Sequence, residues 1–241
     1  MKRRELANIP ADVRRTSEPW EHLERVYAWD LVVRICHWTI ALCIFVLAFT
    51  GYSIGHPYVS VPGEAGAHFV MGTFRAIHAG FAYAFTLAVL VRLYWSFFGS
   101  PPARWPNYLP VTRERWHAAR ETLAFYLFRR ERFPPTISHN PLAGLTYSVV
   151  MLVFFTMILT GFTIRSGSSS AALFRPFNLL LPVWGGLQQA RWVHHVGMWL
   201  LLGFFVHHLY SAVLASVVEK NGILESIFTG YKWVRREQVE R

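Results

Sequence analysis

The sequence predicts an all-α integral membrane protein, a bundle of four transmembrane helices with both termini in the cytoplasm. Three observations lead there. Of 241 residues, 53% are hydrophobic and only 16% charged, against about 25% charged in an average soluble domain. The apolar residues fall into four blocks, each about 20 residues or longer, enough to cross about 30 Å of hydrocarbon as a helix. Twenty of the 24 lysines and arginines lie on one side of the resulting topology, the bias that keeps basic loops inside.

Residues 1–31 form a charged cytoplasmic tail with no apolar core of the kind a cleavable signal needs. The four-helix domain follows over residues 32–218, with spans at about 33–54, 76–98, 142–164 and 193–218. Backbone in lipid must satisfy its own hydrogen bonds, so each span is read as a helix. Between the second and third spans lies a long loop with proline-rich edges, Pro101-Pro102 and Pro134-Pro135. Inside it, Thr112 to Arg132 reads as a basic amphipathic helix lying on the cytoplasmic membrane surface. The two outer loops, 55–75 and 165–192, hold only Arg75, Arg165, Arg175 and Arg191 as basic residues. By topology alone they are the candidates for docking an external partner. Residues 219–241 form a cytoplasmic C-terminal tail. A faint internal echo joins Thr50-Gly51-Tyr52, at the end of the first span, to Thr160-Gly161-Phe162, at the end of the third. It is too short to establish a duplication.

The formal net charge is +10. Nucleic-acid binding would explain it, but the one-sided placement of the charges explains it without a nucleic-acid partner, and no basic stripe on a soluble domain remains. Cys36 and Cys43 are the two cysteines. On one helix they lie about 10 Å apart, too far for a disulfide. Two cysteines also exclude a Cys-x-x-Cys-His haem attachment, a thiolate zinc site and a four-cysteine iron–sulfur cluster. Any cofactor is held without cysteine.

Eleven histidines are many for this length, and ionisable groups at membrane depth are costly and usually functional. The fourth span carries His194-His195 and His207-His208. Fourteen residues turn a helix by about 1400°, about 40° short of four turns, so only His194 and His208 share a face. They lie about 21 Å apart along the axis, at opposite ends of the span. Under the assigned topology His37 lies near the inner surface and His78 near the outer. Depth therefore pairs His78 with His194 outside, and His37 with His208 inside. Two imidazole pairs at two depths suit two non-covalent haems b stacked across the bilayer, and six-coordinate haem iron suits electron transfer.

Around these four, Arg34, Arg75 and Arg191 each precede a histidine by three residues, on the same helical face. They are possible propionate partners, although interfacial arginines are common. Gly80, Gly197 and Gly203 leave room for a flat macrocycle. A single histidine near a helix end is more often an interfacial residue than a ligand; four matched in face and depth favour ligation. His22, His56, His68, His117, His195 and His207 are read as bystanders, and Trp38, Tyr52, Tyr94 and Trp95 as an aromatic belt.

Several stretches carry a family resemblance. They are Val33-Arg34-Ile35-Cys36-His37-Trp38, Thr50-Gly51-Tyr52, Met71-Gly72, Arg75-Ala76-Ile77-His78 and Arg92-Leu93-Tyr94-Trp95, then His139-Asn140-Pro141-Leu142-Ala143, Thr160-Gly161-Phe162, His194-His195-Val196-Gly197-Met198-Trp199 and His208-Leu209-Tyr210. In this order, over roughly residues 27–232, the chain resembles the b-type cytochrome subunit of membrane-bound uptake nickel–iron hydrogenases. The resemblance implies a four-helix di-haem cytochrome b in the bacterial inner membrane. It would anchor the small and large subunits of a periplasmic hydrogenase and pass their electrons to menaquinone or ubiquinone. The family ligands fall on His37, His78, His194 and His208. By position, Asn140 with His139 beside it corresponds to a quinone-adjacent asparagine in related cytochromes; asparagine as N-cap and proline at N1 explain the same residues as a helix start. Cys36, where relatives more often carry tryptophan, the extra His207, and the lack of an acidic pair over 215–220 depart from the pattern.

Hydrogen activation itself is excluded for this chain, because two cysteines cannot hold nickel, iron and clusters. A close alternative is the membrane cytochrome of another periplasmic dehydrogenase, formate- or thiosulfate-linked. A distant one is a histidine-lined carrier of metal ions or protons, and a structural anchor without cofactor is more distant still.

Overall fold

A computed structural model describes residues 23–57, 68–107, 112–129, 141–219 and 222–235. The four apolar blocks are helices: α1 (Leu31–Gly55), α2 (Val70–Phe98), α4 (Pro141–Ser166) and α6 (Leu187–Glu219). Each contains a segment long and apolar enough to cross a membrane. Between them lie α3 (Arg113–Tyr126) and the one-turn α5 (Leu181–Trp184), with short 3-10 turns at Pro101–Ala103, Trp105–Asn107 and Ala172–Leu180; α7 (Ile223–Thr229) follows. The helical bundle predicted from the sequence is present. The loop helix spans less than residues 112–132 and packs on α4.

Two of the helices overrun their apolar blocks noticeably. α2 begins six residues before Ala76, and α6 six before Val193. Helical hydrogen bonding does not stop where hydrocarbon does, and helices longer than about 20 residues extend into the interface. At α6 the start is set by Gly185 and Gly186, whose positive φ angles of 81° and 104° turn the chain out of α5.

α1 packs on α2 and α4 on α6, and the two pairs touch more sparsely. The mid-depth core is apolar: Ile40 and Cys43 from α1, Phe85, Ala88 and Val89 from α2, Val150 and Phe154 from α4, and Leu201 from α6. Phe85 meets Phe154 edge to face at 5.1 Å. Large apolar side chains point outward instead, with Leu87 65% and Leu152 67% exposed, the pattern of a bundle whose outer face meets lipid rather than water. Buried hydroxyls close on their own helix. Ser53 donates to the Phe49 carbonyl at 2.9 Å and Thr163 to the Leu159 carbonyl at 2.8 Å, so they carry no unsatisfied group into the bundle.

The tails contribute an element that the sequence reading did not anticipate. β1 (Leu23–Tyr27) and β2 (Tyr231–Arg235) pair antiparallel, with Leu23 opposite Arg235 and Tyr27 opposite Tyr231. The Arg25 guanidinium sits 4.1 Å from the Tyr231 ring centroid. Both ends of the described chain therefore lie at one end of the bundle. Gly230, at φ 89°, joins α7 to β2; a Cβ there would lie 2.7 Å from the Tyr27 ring. Its carbonyl accepts from Ala28 N and Trp29 N, at 2.8 and 3.1 Å. Trp29 Nε1 donates to Ser226 Oγ at 2.8 Å.

Asp30 locks the start of α1 to the end of α2. Its Oδ2 accepts from Trp95 Nε1 at 2.6 Å and from Ser100 N at 3.1 Å. Burial pushes the carboxyl up, but these hydrogen bonds and the Arg92 charge outweigh it and hold Asp30 below the usual carboxylate range. A carboxylate with a depressed folded-state pKa stabilises the protein above its unfolded pKa of about 3.9 and loses that contribution as pH falls through the folded value. Asp30→Ala leaves two donors without their acceptor and is expected to cost about 1–3 kcal/mol. Thermal melting in detergent at pH 7 checks this: the melting point should fall, and the gap to wild type should narrow toward pH 3.

Candidate functional site: two imidazole pairs

Three helices deliver the four histidines: α1 and α2 bring one each and α6 brings two. His37 of α1 and His208 of α6 have ring centroids 6.2 Å apart, at the end of the bundle that carries the ribbon. His78 of α2 and His194 of α6 lie 6.5 Å apart at the other end. Both pairs thus cross the sparse seam between the helix pairs, with the apolar core between the two levels.

The environments of the pairs differ. At the outer pair, His78 Nδ1 lies 2.9 Å from Thr50 Oγ1, and His194 Nδ1 lies 2.8 Å from Thr160 Oγ1. Each threonine is followed by a glycine on which the ring rests. A Cβ on Gly51 would sit 3.1 Å from His78 Cε1, and one on Gly161 would sit 3.3 Å from His194 Cε1. Sequence reading missed these four residues as site residues. The Thr-Gly-aromatic echo was the available signal, and its meaning depends on which helices pack together. At the inner pair, His208 is flanked by Phe204 at 5.4 Å and Tyr147 at 5.9 Å, and His37 meets Trp38 at 5.1 Å. His37 Nδ1 is buried with no hydrogen-bond partner among the described residues.

The other candidates divide. Gly80 and Gly203 face open space, but Gly197 does not: a Cβ there would lie 2.5 Å from the Met157 sulfur, so this glycine admits a methionine from α4. Arg34 donates from Nη1 to the Phe228 carbonyl, and its Nε is buried without a partner among the described residues. Arg75 and Arg191 are exposed. His139 and Asn140 lie outside the described residues, and α4 begins at Pro141. His195 accepts from Trp199 Nε1 at 3.2 Å, and His207 lies against Ser211. His195 also lies 5.7 Å from the His56 ring, a further imidazole contact; neither His195 nor His207 joins the two pairs above.

Residues 28–230 match the sequence profile of the prokaryotic cytochrome b561 family. The chain belongs to that family. It is similar to the probable Ni/Fe-hydrogenase 1 B-type cytochrome subunit of Escherichia coli, at 35% identity over 86% of this chain and 90% of the relative. It is also similar to the probable Ni/Fe-hydrogenase B-type cytochrome subunits of Cupriavidus necator (34%, over 87% of this chain and 88% of the relative) and Bradyrhizobium diazoefficiens (33%, over 96% and 94%). This cytochrome is a multi-pass membrane protein, and haem b is the group its family name implies.

Its histidines fit that group. A metal–imidazole bond is about 2.0 Å and a ring nitrogen lies about 1.2 Å from its centroid, so two imidazoles on opposite sides of one metal ion have centroids about 6.4 Å apart. The observed 6.2 and 6.5 Å match. Gly51→Ala and Gly161→Ala each force the adjacent ring to move against packed helices, an overpacking of about 1–3 kcal/mol. Both variants are expected to lower the haem bound per polypeptide, measured as pyridine haemochrome on purified protein.

Proposed function

We propose that this cytochrome carries two haems b and passes electrons from a periplasmic nickel–iron hydrogenase to the quinone pool, in the bacterial inner membrane with both termini in the cytoplasm. The single observation that carries the reading is the pair of imidazole couples, each spaced for one metal ion, at opposite ends of one bundle. The printed names of the relatives support the hydrogenase as partner. One-sided lysine and arginine placement supports the orientation.

Haem b supplies a one-electron couple when bound. The chain's own residues do the rest. His37 with His208, and His78 with His194, would each hold one haem iron, and iron held by two imidazoles would serve electron transfer rather than oxygen binding. Arg34, Arg75 and Arg191 lie within reach of the aqueous boundaries as propionate partners. The apolar core around Val89 and Phe154 keeps water and protons out of the space between the centres. Asn140 and His139, at the cytoplasmic start of α4, are the quinone contacts, donating to a carbonyl oxygen as it gains charge. Proton uptake by quinone on that side, with hydrogen oxidised on the other, makes the transfer charge-separating. α3, packed on α4, lies at the same surface.

His194→Ala and His208→Ala are each expected to halve haem per polypeptide, each removing a different one of two spectral components. An unchanged two-haem spectrum in either variant would refute the assignment. Co-purification of this chain with hydrogenase subunits tests the partner, and recovery with a formate- or thiosulfate-linked dehydrogenase instead would overturn it. Asn140→Ala should slow hydrogen-driven quinone reduction about tenfold, the equivalent of one lost hydrogen bond, with both haem spectra intact.

A further inference from the structure

Thr50 and Thr160 occupy equivalent places on two helices and do the same thing. Thr50 Oγ1 lies 2.6 Å from the Val46 carbonyl and 2.9 Å from His78 Nδ1. Thr160 Oγ1 lies 2.6 Å from the Thr156 carbonyl and 2.8 Å from His194 Nδ1. A hydroxyl has one hydrogen to donate, and a carbonyl oxygen has none. At 2.6 Å the hydroxyl hydrogen belongs to the carbonyl, since two acceptors that close without a proton repel. The hydroxyl oxygen must then accept from the ring, so Nδ1 carries the proton and the Nε2 lone pair is free for a metal. The carbonyls of Leu47 and Met157, again at equivalent positions, are second acceptors for the two hydroxyls, at 3.4 and 3.2 Å. Gly51 and Gly161 supply the room for the approach.

Both devices serve the same imidazole pair, one from each side. His37 of the other pair has its Nδ1 buried without a partner among the described residues. A metal-bound imidazole that donates its second N–H becomes a stronger electron donor, which favours the oxidised state of the metal it holds. We propose that Thr50 and Thr160 are positioning residues that fix the outer imidazoles in the Nδ1–H tautomer and hold the outer centre at a lower reduction potential than the inner one. The proposal rests on the di-haem reading above. Each centre exchanges one electron, with no bond made or broken, and the difference makes electron flow from the outer to the inner centre downhill.

The experiment is a spectroelectrochemical titration of the full-length cytochrome in membranes, with low-spin ferric resonance signals recorded alongside. Wild type should show two reduction waves. Thr50→Val and Thr160→Val should each move the same wave, the lower one, to more positive potential, and the double variant should move it further while the other wave stays. Thr50→Ser and Thr160→Ser keep the acceptor oxygen and should restore the wild-type position. Loss of that one wave in both valine variants, with serine retaining it, supports the same assignment. Unmoved waves in the valine variants, two variants moving different waves, or serine behaving as valine does would overturn it. A colourless wild-type protein would instead overturn the di-haem reading itself, and with it the inference.

Discussion

An imidazole at membrane depth must have both ring nitrogens accounted for, because hydrocarbon offers neither a proton donor nor an acceptor. Four histidines of this chain come together in two pairs. The ring centroids of each pair lie 6.2 or 6.5 Å apart, a separation that fits one metal ion between two imidazoles. At the outer pair one nitrogen of each ring is taken by a threonine. Everything else in the bundle is arranged so that these rings can stand where they do. Glycines beside the threonines bring the helices close, and a methionine rather than a macrocycle fills the notch at Gly197.

The two ends of the bundle solve different problems. The outer end is built from repeated hydrogen bonds inside each helix pair, Thr50 to His78 and Thr160 to His194. The inner end is tied by the chain termini. Asp30 binds α1 to α2 through Trp95 and Ser100, and Trp29 and Arg34 bind α1 to α7 through Ser226 and Phe228. Trp38 packs on Phe228 at 4.7 Å, so the first turns of α1, which carry His37, rest on the C-terminal segment. The inner imidazoles thus gain their positions from aromatic packing and the tail ribbon. The outer ones gain theirs from hydroxyl acceptors.

Much of this was legible in the sequence. Hydropathy fixes four helices because a spanning backbone has no other solution, and helical angle plus depth pairs His78 with His194 and His37 with His208 before any contact is known. What was not legible depends on tertiary neighbours. Thr50 and Thr160 read as ordinary helix residues until α1 meets α2 and α4 meets α6. Gly197 has the same sequence surroundings as a macrocycle-facing glycine, yet Met157 arrives from another helix. The strands Leu23–Tyr27 and Tyr231–Arg235 lie 203 residues apart, measured between Tyr27 at one end of the register and Tyr231 opposite it less one, and neither tail alone carries an alternating apolar face strong enough to announce a ribbon.

α6 gives one histidine to each pair, and that fixes the spacing of the site more firmly than any single contact. Fourteen residues set both the depth difference, about 21 Å, and the angle, about 40° short of whole turns. α1 and α2, locked together through Asp30 and through Thr50 against His78, bring the partners from opposite directions. On α6, one inserted residue between His194 and His208 would swing one ring by about 100° and remove it from its pair. The bundle's two levels are therefore set by one continuous helix acting as a ruler. The apolar residues between them, Leu201 among the most buried on α6, keep that ruler packed and dry, so the two imidazole pairs are separated by a layer that excludes water and protons.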